Sequence, residues 1–360
     1  MNIDYILEKQ EFSKEEIVFL LNTQEEDAKK LLDKSLQKKL TCIGNHVHLR
    51  GLVEYSNICR KNCNYCGLRS ANKDVKRYVV SDTEVLQCAE IALKLGYGSM
   101  ALQSGEQQSP EFTRKIANLV REIKRISNGK LGITLSCGEQ SEDTYKQWFE
   151  AGAHRYLLRI ESSNEDLFYK IHPKNEKHSF SQRLKCIDSL LKIGYQTGSG
   201  CMIGLPFQSM ENLAEDLLFF KEKDIAMVGM GPFIPHPDTP LWKYKDDIPT
   251  PKDRLTLTLK MIAILRLMMP EINMVAATAD QTLDTKGREK AILAGANVIM
   301  PNLTPTELRE NYLIYPDKAS VKDSSEQCKD CLEEKIKSIN HQILYDAWGD
   351  SVAFTKKHSC

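Results

Sequence analysis

The chain has 360 residues, 41% of them hydrophobic, and its 49 basic residues balance 49 acidic ones. That length buries a large core as one large domain or two smaller ones, and the balanced charge excludes the broad electrostatic footprint that holds nucleic acid or an anionic membrane. The expected substrate is a small molecule or a protein, and no apolar run approaches the roughly 20 residues of a membrane span.

The opening stretch MNIDYILEKQEFSKEE lacks the basic and apolar regions of a signal peptide, so a cytoplasmic location is expected. Residues 1–47 are rich in Glu, Lys and Leu, and their apolar spacing predicts two or three amphipathic helices, an N-terminal helical cap. From His48 onward eight short β-rich runs alternate with helical stretches: 48–56, 98–104, 131–136, 155–160, 197–204, 226–234, 272–279 and 297–301. The first intervening helix opens on Ser81 with Glu84 three positions later and closes on Gly96; Gly152, Gly194 and Gly295 close others. Eight such units predict an α/β fold, a complete (βα)8 TIM-type barrel over residues 48–308. An open doubly wound sheet is the alternative, disfavoured because no G-x-G-x-x-G follows the first strand. Residues 309–360 read as a polar C-terminal extension that carries a cysteine pair and ends in a short helix over 333–348.

Eleven cysteines in a chain without an export signal read as buried thiols or metal ligands before disulfides. Cys42, Cys88, Cys137, Cys186 and Cys201 stand alone and read as small buried hydrophobes. Cys59, Cys63 and Cys66 form C-x3-C-x2-C directly after the first predicted strand, at the end where barrel enzymes place their chemistry. Three thiolates with no fourth ligand nearby leave a zinc site incomplete, whereas a 4Fe-4S cluster held by three thiolates keeps one iron open for a cofactor or substrate. An unfinished zinc knuckle, or three unrelated thiols, is the bland alternative.

C-x3-C-x2-C with the aromatic Tyr65 before its last cysteine, on the loop after a first barrel strand, resembles the signature of the radical S-adenosylmethionine (SAM) superfamily. Within it, RGLVEYSNICRKNCNYCGLR, LQSGE, RYLLRIESSN, GLPFQS, MVGMGPFIPHPDTPL and GANVIMPNLTP, in order from about residue 48 to 305, resemble the HydE-like maturases of FeFe-hydrogenase. The resemblance implies a barrel around a central cavity, with SAM bound at the cluster and cleaved reductively to a 5'-deoxyadenosyl radical. It implies a biosynthetic role on a small organometallic or amino-acid-like substrate, an iron precursor bearing CO, cyanide and cysteine, in assembly of the hydrogenase di-iron site. It also implies an electron donor such as ferredoxin or flavodoxin, and the other hydrogenase maturases as partners.

The same resemblance assigns site residues. Tyr65 would line the adenine pocket, and Ser104, Gly105 and Glu106 at the end of the second strand would receive the amino group of SAM; alone they read as a strand-to-helix turn. Ser136 and Glu139 end the third strand, and Arg159 and Glu161 end the fourth, where carboxylates accept ribose hydroxyls or an ammonium and an arginine grips a carboxylate. A salt bridge at the barrel mouth, Arg159 to Glu161 or to Glu139, is the alternative. Arg183 matches a partner of the SAM carboxylate, or is a solvated helix charge. Thr134, Met227, His236, Thr278 and Tyr312 form the implied substrate set. His236, among prolines too dense for a helix, serves equally as a turn cap, and Tyr312 and Tyr315 equally as core. Thr278 matches one of two expected threonines, the other being Ala277, while Asp280 and Gln281 stand where an apolar and a small residue are expected. Cys328 and Cys331 form C-x2-C in the tail, where two thiolates are too few for a cluster. A second, auxiliary iron-sulfur cluster there needs a third ligand, yet Ala319 lies nine residues before Cys328 and only the terminal Cys360 remains.

Two other readings compete: a methylornithine synthase or biotin synthase relative sharing the barrel and loop, and a non-enzymatic iron-sulfur carrier that cleaves no SAM. The PFIPHPDTPL block favours the HydE-like reading over the former.

Overall fold

Local chemistry sets where the helices begin. Ser81 accepts from the Glu84 N–H while the Glu84 carboxylate accepts from the Ser81 N–H at 2.8 Å, the reciprocal cap expected for the helix Asp82–Lys94. Ser13 and Ser209 start Lys14–Asn22 and Met210–Glu222 in the same way. Gly194, at φ +100°, ends the helix Phe180–Ile193 in the left-handed region that side chains disfavour.

The computed structural model describes residues 1–319 and 325–358. Its strands are β1 His46–Ser56, β2 Ser99–Ser104, β3 Gly132–Ser136, β4 Arg155–Leu157, β5 Gln196–Ser199, β6 Met202–Ile203, β7 Met227–Val228, β8 Gly231–Pro232, β9 Asn273–Met274, β10 Val298–Ile299 and β11 Gln342–Leu344. Eight of them form one curled sheet in the order β10-β1-β2-β3-β4-β5-β7-β9, every pair parallel, with helices as the crossovers. The two end strands meet: Val275 bridges Val298, and the Ala276 N–H donates to the Val298 carbonyl at 2.9 Å.

Two predicted runs are split. The run 197–204 stops at Ser199 and resumes as β6, and 226–234 stops at Val228 and resumes as β8. A Cβ on Gly200 would lie 1.9 Å from the Gly229 carbonyl, so the two backbones approach closer than side chains permit, and the outer halves pair separately as β6–β8. The run 272–279 also shortens. The Asp280 carboxylate accepts from the Ala277 N–H at 2.9 Å and starts the helix Thr278–Leu283, so Thr278 is a helix residue and not a strand-end one.

The first 43 residues form the helices Ile3–Leu7, Lys14–Asn22 and Glu25–Ile43, which pack on Met210–Glu222 and Pro251–Met268 through residues such as Ile17, Leu20 and Leu31. Lys39 enters this interface: its Nζ donates to the Ile292 carbonyl at 3.0 Å and lies 3.0 Å from His341 Nε2, and burial pulls its pKa down to about 6.

The tail departs from expectation. In place of a helix over 333–348 there is a helix Ser325–Ser338, then Asn340 at φ +57°, then β11, which pairs in parallel with β1. The turn at Asn340 breaks the helix, and the Gln342 N–H finds the Asn45 carbonyl at 3.1 Å. The chain then passes under the N-terminal ends of the strands. There the Gly349 carbonyl accepts from Arg50 at 3.0 Å and Asn273 at 2.8 Å, while Asp350 Oδ1 takes Arg155 at 2.8 Å and His154 at 3.0 Å. Among the described residues no helix is long and apolar enough to cross a membrane.

Candidate active site

The cysteine loop has no regular secondary structure, so its carbonyls need other donors. Arg77 supplies several, donating to the carbonyls of Asn57 at 2.6 Å, Leu68 at 2.9 Å, Arg69 at 2.9 Å and Asn72 at 3.0 Å. On this scaffold Cys59, Cys63 and Cys66 are partly exposed and free. Burial pushes their thiols up, Cys66 to about 12 and Cys63 further. Such thiols ionise when a metal's charge is beside them. Among the described residues no three Cys, His, Asp or Glu side chains converge around one ion. Three thiols on one loop suit a 4Fe-4S cluster with one open iron better than a zinc knuckle, which takes four ligands. The Glu106 N–H donates to Cys59 Sγ at 3.4 Å, a bond of the kind that tunes cluster potentials.

The end of β2 is pressed against this loop. The Gly105 N–H donates to the Ser56 carbonyl at 2.7 Å, and the Arg60 N–H to the Glu106 carbonyl at 2.9 Å. A Cβ on Gly105 would lie 2.4 Å from the Ile58 carbonyl and 2.9 Å from Cys59 Cβ, so only glycine allows the approach. Ser104 Oγ donates to the Gly105 carbonyl at 2.7 Å.

Lys61, inside the cysteine spacing, is the residue that sequence reasoning missed. It is buried 2.8 Å from Glu139 Oε2 and 3.4 Å from Glu106 Oε1. Glu139 also binds Arg183 Nε at 2.5 Å, and Arg183 donates to the Arg159 carbonyl at 2.5 Å, so Arg183 is a buried partner and not a solvated charge. Burial alone would raise the Glu139 carboxyl, but Arg183 and Lys61 outweigh it and hold it below the usual range. Glu106 goes the other way: burial raises it and Lys61 only partly offsets this. Gly138, at φ +76°, turns the backbone so that the Glu139 N–H donates to Glu106 Oε2 at 2.9 Å.

Arg159 pairs with Glu161 at 3.0 Å, and Glu161 sits at φ +66°, a conformation costly for a side-chain residue. The next loop is braced by the buried Asp216, which accepts from the Ser163 N–H at 2.6 Å and its hydroxyl at 2.7 Å. Glu106 Oε1 and Glu161 Oε2 are buried, and each faces a cation, Lys61 at 3.4 Å and Arg159 at 3.0 Å. An ammonium or a ribose hydroxyl fits the acceptor sites that remain on the two carboxylates. Tyr65 hydroxyl lies 3.2 Å from His172 Nε2, and Ser136 ends β3 half-buried. A cleft of about 840 Å³ opens beside Lys61, Glu106, Glu139 and Gln140.

The five implied substrate residues do not share one place. His236 caps a turn, its Nδ1 accepting from the Asp238 N–H at 3.1 Å, and its ring also packs on Gly67, next to Cys66. Tyr312 is buried under the Lys318 ammonium, which pairs with Glu54 of β1. Thr278 Oγ1 accepts from Arg288 at 2.8 Å. Thr134 and Met227 lie toward the tail end, where Thr134 Oγ1 accepts from Arg155 Nε at 3.1 Å and Met227 Sδ from Arg50 at 3.0 Å. Cys331 is exposed, whereas the Cys328 side chain and Cys360 lie outside the described residues. Of the five lone cysteines, Cys88, Cys137, Cys186 and Cys201 are buried and Cys42 is half-buried.

Residues 53–220 match the family model of the radical SAM superfamily, and residues 232–329 match the biotin and thiamin synthesis associated domain. The chain is 42% identical over 346 residues, 95% of each chain, to the FeFe hydrogenase maturase subunit HydE of Thermotoga maritima. The chain belongs to the HydE family. The 3-methylornithine synthase of Methanosarcina acetivorans is more distant than that HydE, 26% identical over 313 residues and 85% of each chain. In fold, the crystal structure of methylornithine synthase (PylB) superposes with a TM-score of 0.78 at 20% identity, covering 96% of this chain and 97% of that one. As a HydE homologue this chain is a radical SAM enzyme.

Proposed function

We propose that this chain cleaves SAM reductively at a 4Fe-4S cluster held by Cys59, Cys63 and Cys66, and applies the resulting radical to a small iron precursor in assembly of the FeFe-hydrogenase di-iron site. The observation that carries this reading is the end of β2 pressed on the three-thiol loop, where the Glu106 N–H donates to Cys59 Sγ at 3.4 Å and Lys61 bridges the buried carboxylates of Glu106 and Glu139. When bound, the cluster supplies one electron to the SAM sulfonium, releasing methionine and the 5'-deoxyadenosyl radical.

The chain's own residues bind and orient. Glu106 and Glu161 take the ammonium and ribose of SAM, with Ser104 and Gly105 offering backbone carbonyls and Ser136 its hydroxyl. Arg159 and Arg183 supply positive charge for the SAM carboxylate, Glu139 positions Arg183 and Lys61, and Tyr65 lines the adenine. Of the implied substrate set Thr134, Met227, His236, Thr278 and Tyr312, His236 stands beside the cysteine loop and is the one assigned to the substrate, whereas Thr134 and Met227 are held by Arg155 and Arg50 toward the tail end. The bridge from Val275 to Val298 supports a complete (βα)8 barrel over 48–308, between the cap of 1–47 and the extension of 309–360. The reading takes a cytoplasmic enzyme supplied by ferredoxin or flavodoxin and working beside other maturases; among the described residues no helix is long and apolar enough to cross a membrane. The tail pair with Cys331 holds no second cluster in this reading, since two thiolates are too few and only the terminal Cys360 is left in the sequence as a third.

Anaerobically reconstituted protein with dithionite and SAM is expected to release 5'-deoxyadenosine, and Cys63→Ala to release none. Equal turnover by the variant, as measured by chromatography, would sink the proposal. Restored hydrogenase maturation in a strain lacking HydE separates it from a methylornithine synthase-like activity, which would leave that strain inactive.

A further inference from the structure

The cysteine loop lies between two basic segments. On one side, the Ser70 N–H donates to the Lys61 carbonyl at 2.8 Å and Arg69 Nε to Asn62 Oδ1 at 2.8 Å. On the other, the Asn64 N–H donates to the Ile171 carbonyl at 3.0 Å and the Asn62 N–H to His178 Nε2 at 2.9 Å. Residues 60–77 and 170–177 together carry nine Lys and Arg against two carboxylates, Asp74 and Glu176, in a chain whose net charge is zero. Arg69 and Arg77 are engaged within the loop, while Arg60 donates to Gln108 and Lys61 to Glu139. The remaining five, Lys73, Lys76, Lys170, Lys174 and Lys177, are exposed, and none has a carboxylate within ion-pair distance among the described residues. Some surface lysines elsewhere are paired, Lys9 with Glu16 at 2.6 Å, Lys34 with Glu8 at 2.6 Å and Lys223 with Asp188 at 2.7 Å, and others such as Lys29, Lys130 and Lys252 are exposed too, so what marks this face is its local excess of cations over carboxylates.

Exposed apolar side chains sit among these charges. Ile58 next to Cys59 is 38% exposed, Phe207 is 48% exposed beneath the Lys170 ammonium at 5.3 Å, and Trp242 is 37% exposed. Trp242 is tied to the loop because the neighbouring Leu241 N–H donates to the Asn64 carbonyl at 3.1 Å. Aromatic anchors ringed by like charges are the anatomy of a protein-docking surface with an electrostatically steered partner.

We infer that this face is where a small acidic protein carrying a one-electron donor docks, with its carboxylates on Lys73, Lys76, Lys170 and Lys174 and an apolar contact on Phe207 and Trp242. The inference rests on the proposed cluster, which needs one electron per SAM cleaved. In the encounter one electron leaves the donor, which is oxidised by one equivalent, and reduces the cluster by one equivalent; no bond between the proteins forms. The unpaired lysines raise the encounter rate, because a fixed patch of one sign on a neutral molecule orients an oppositely charged partner.

The test compares two reductants on the full-length reconstituted enzyme: dithionite, and flavodoxin in its hydroquinone form. In the quadruple variant Lys73→Glu, Lys76→Glu, Lys170→Glu and Lys174→Glu, flavodoxin-driven 5'-deoxyadenosine formation is expected to fall by about tenfold or more. The dithionite-driven rate stays that of the parent. In the parent alone, the flavodoxin-driven rate falls steeply between about 50 and 300 mM salt. Binding of oxidised flavodoxin, measured calorimetrically without SAM, weakens in parallel. Unchanged flavodoxin binding and rate in the variant overturn the inference, as does a variant that loses binding to duplex DNA but not to flavodoxin. Absence of 5'-deoxyadenosine with either reductant in the parent is failure of the cluster reading, and the calorimetric arm still decides the docking surface.

Discussion

Each end of the strand layer buries an arginine against a carboxylate. At the cysteine end Arg183 meets Glu139 at 2.5 Å, and at the opposite end Arg155 meets Asp350 at 2.8 Å. The members of the first pair are 44 residues apart, both from βα units beside the cysteine loop, whereas those of the second are 195 apart and one comes from the tail. The two ends also differ in access. The first faces a cleft of about 840 Å³, while the second is covered by the backbone of Trp348 and Gly349. The cysteine end is thus built from neighbouring units and keeps an opening beside Glu139 and Lys61, whereas a returning segment closes the other end.

That contrast can be broken at either end. The largest effect is expected from Gly105→Ala, since the added Cβ meets backbone at 2.4 Å and cannot be absorbed by a side-chain rotation. The cysteine loop must shift, and iron retained after desalting should fall by about tenfold or more while the far-ultraviolet circular dichroism is kept. Wild-type iron content would show that the approach of β2 to the loop is not needed.

At the tail end the readout is stability. Although burial works the other way, the His154 hydrogen bond and Arg155 hold Asp350 at about 2, below its ordinary 3.8. A depressed carboxylate contributes stability that is present above pH 4 and disappears as pH falls toward 2. Asp350→Asn should thus cost about 2 kcal/mol at pH 6, by denaturant unfolding, with the gap to the parent closing in acid. A gap constant with pH would mean the carboxylate charge is not what the tail contributes. Enzymatic SAM cleavage should be retained, which sharpens the division between the ends.

Lys61→Met tests the cysteine end more gently. Burial already raises Glu106, and Lys61 is the first influence that opposes it. Without Lys61 the carboxylate ionises only at higher pH, so the acid limb of SAM binding, followed by calorimetry, should move upward. An unmoved limb would remove Glu106 from the SAM site. The smallest effect is expected from Cys331→Ser: replacing this exposed thiol should change neither iron content nor 5'-deoxyadenosine yield.

Legibility in the sequence followed the same division. The cysteine loop, the end of β2 at Ser104 and the capped helix after Ser81 were readable because each is a local pattern, whereas the run 155–160 shortened to Arg155–Leu157 and left Arg159 and Glu161 in the loop beyond it. Lys61 was invisible as a site residue, since its role depends on Glu106 and Glu139 arriving from β2 and from the loop after β3. The expected helix over 333–348 failed for a related reason. Its second half gains more from pairing with β1 than local amphipathicity gives it as a helix, and strand preference is set by such partners. The splits at Gly200 and Gly229 likewise needed the neighbouring backbone to be known.

By itself the order of residues determined a parallel α/β architecture, a three-thiolate loop after the first strand and the family that uses it, because helix caps, alternating runs and cysteine spacing act over a few residues. Only the tertiary structure decided that Lys61 bridges two carboxylates, that the tail returns as β11 to close one end, and that five lysines around the loop stand unpaired among the described residues. These depend on segments far apart in the chain, and burial and charge pairing between such segments exist only once the sheet has curled and brought them together.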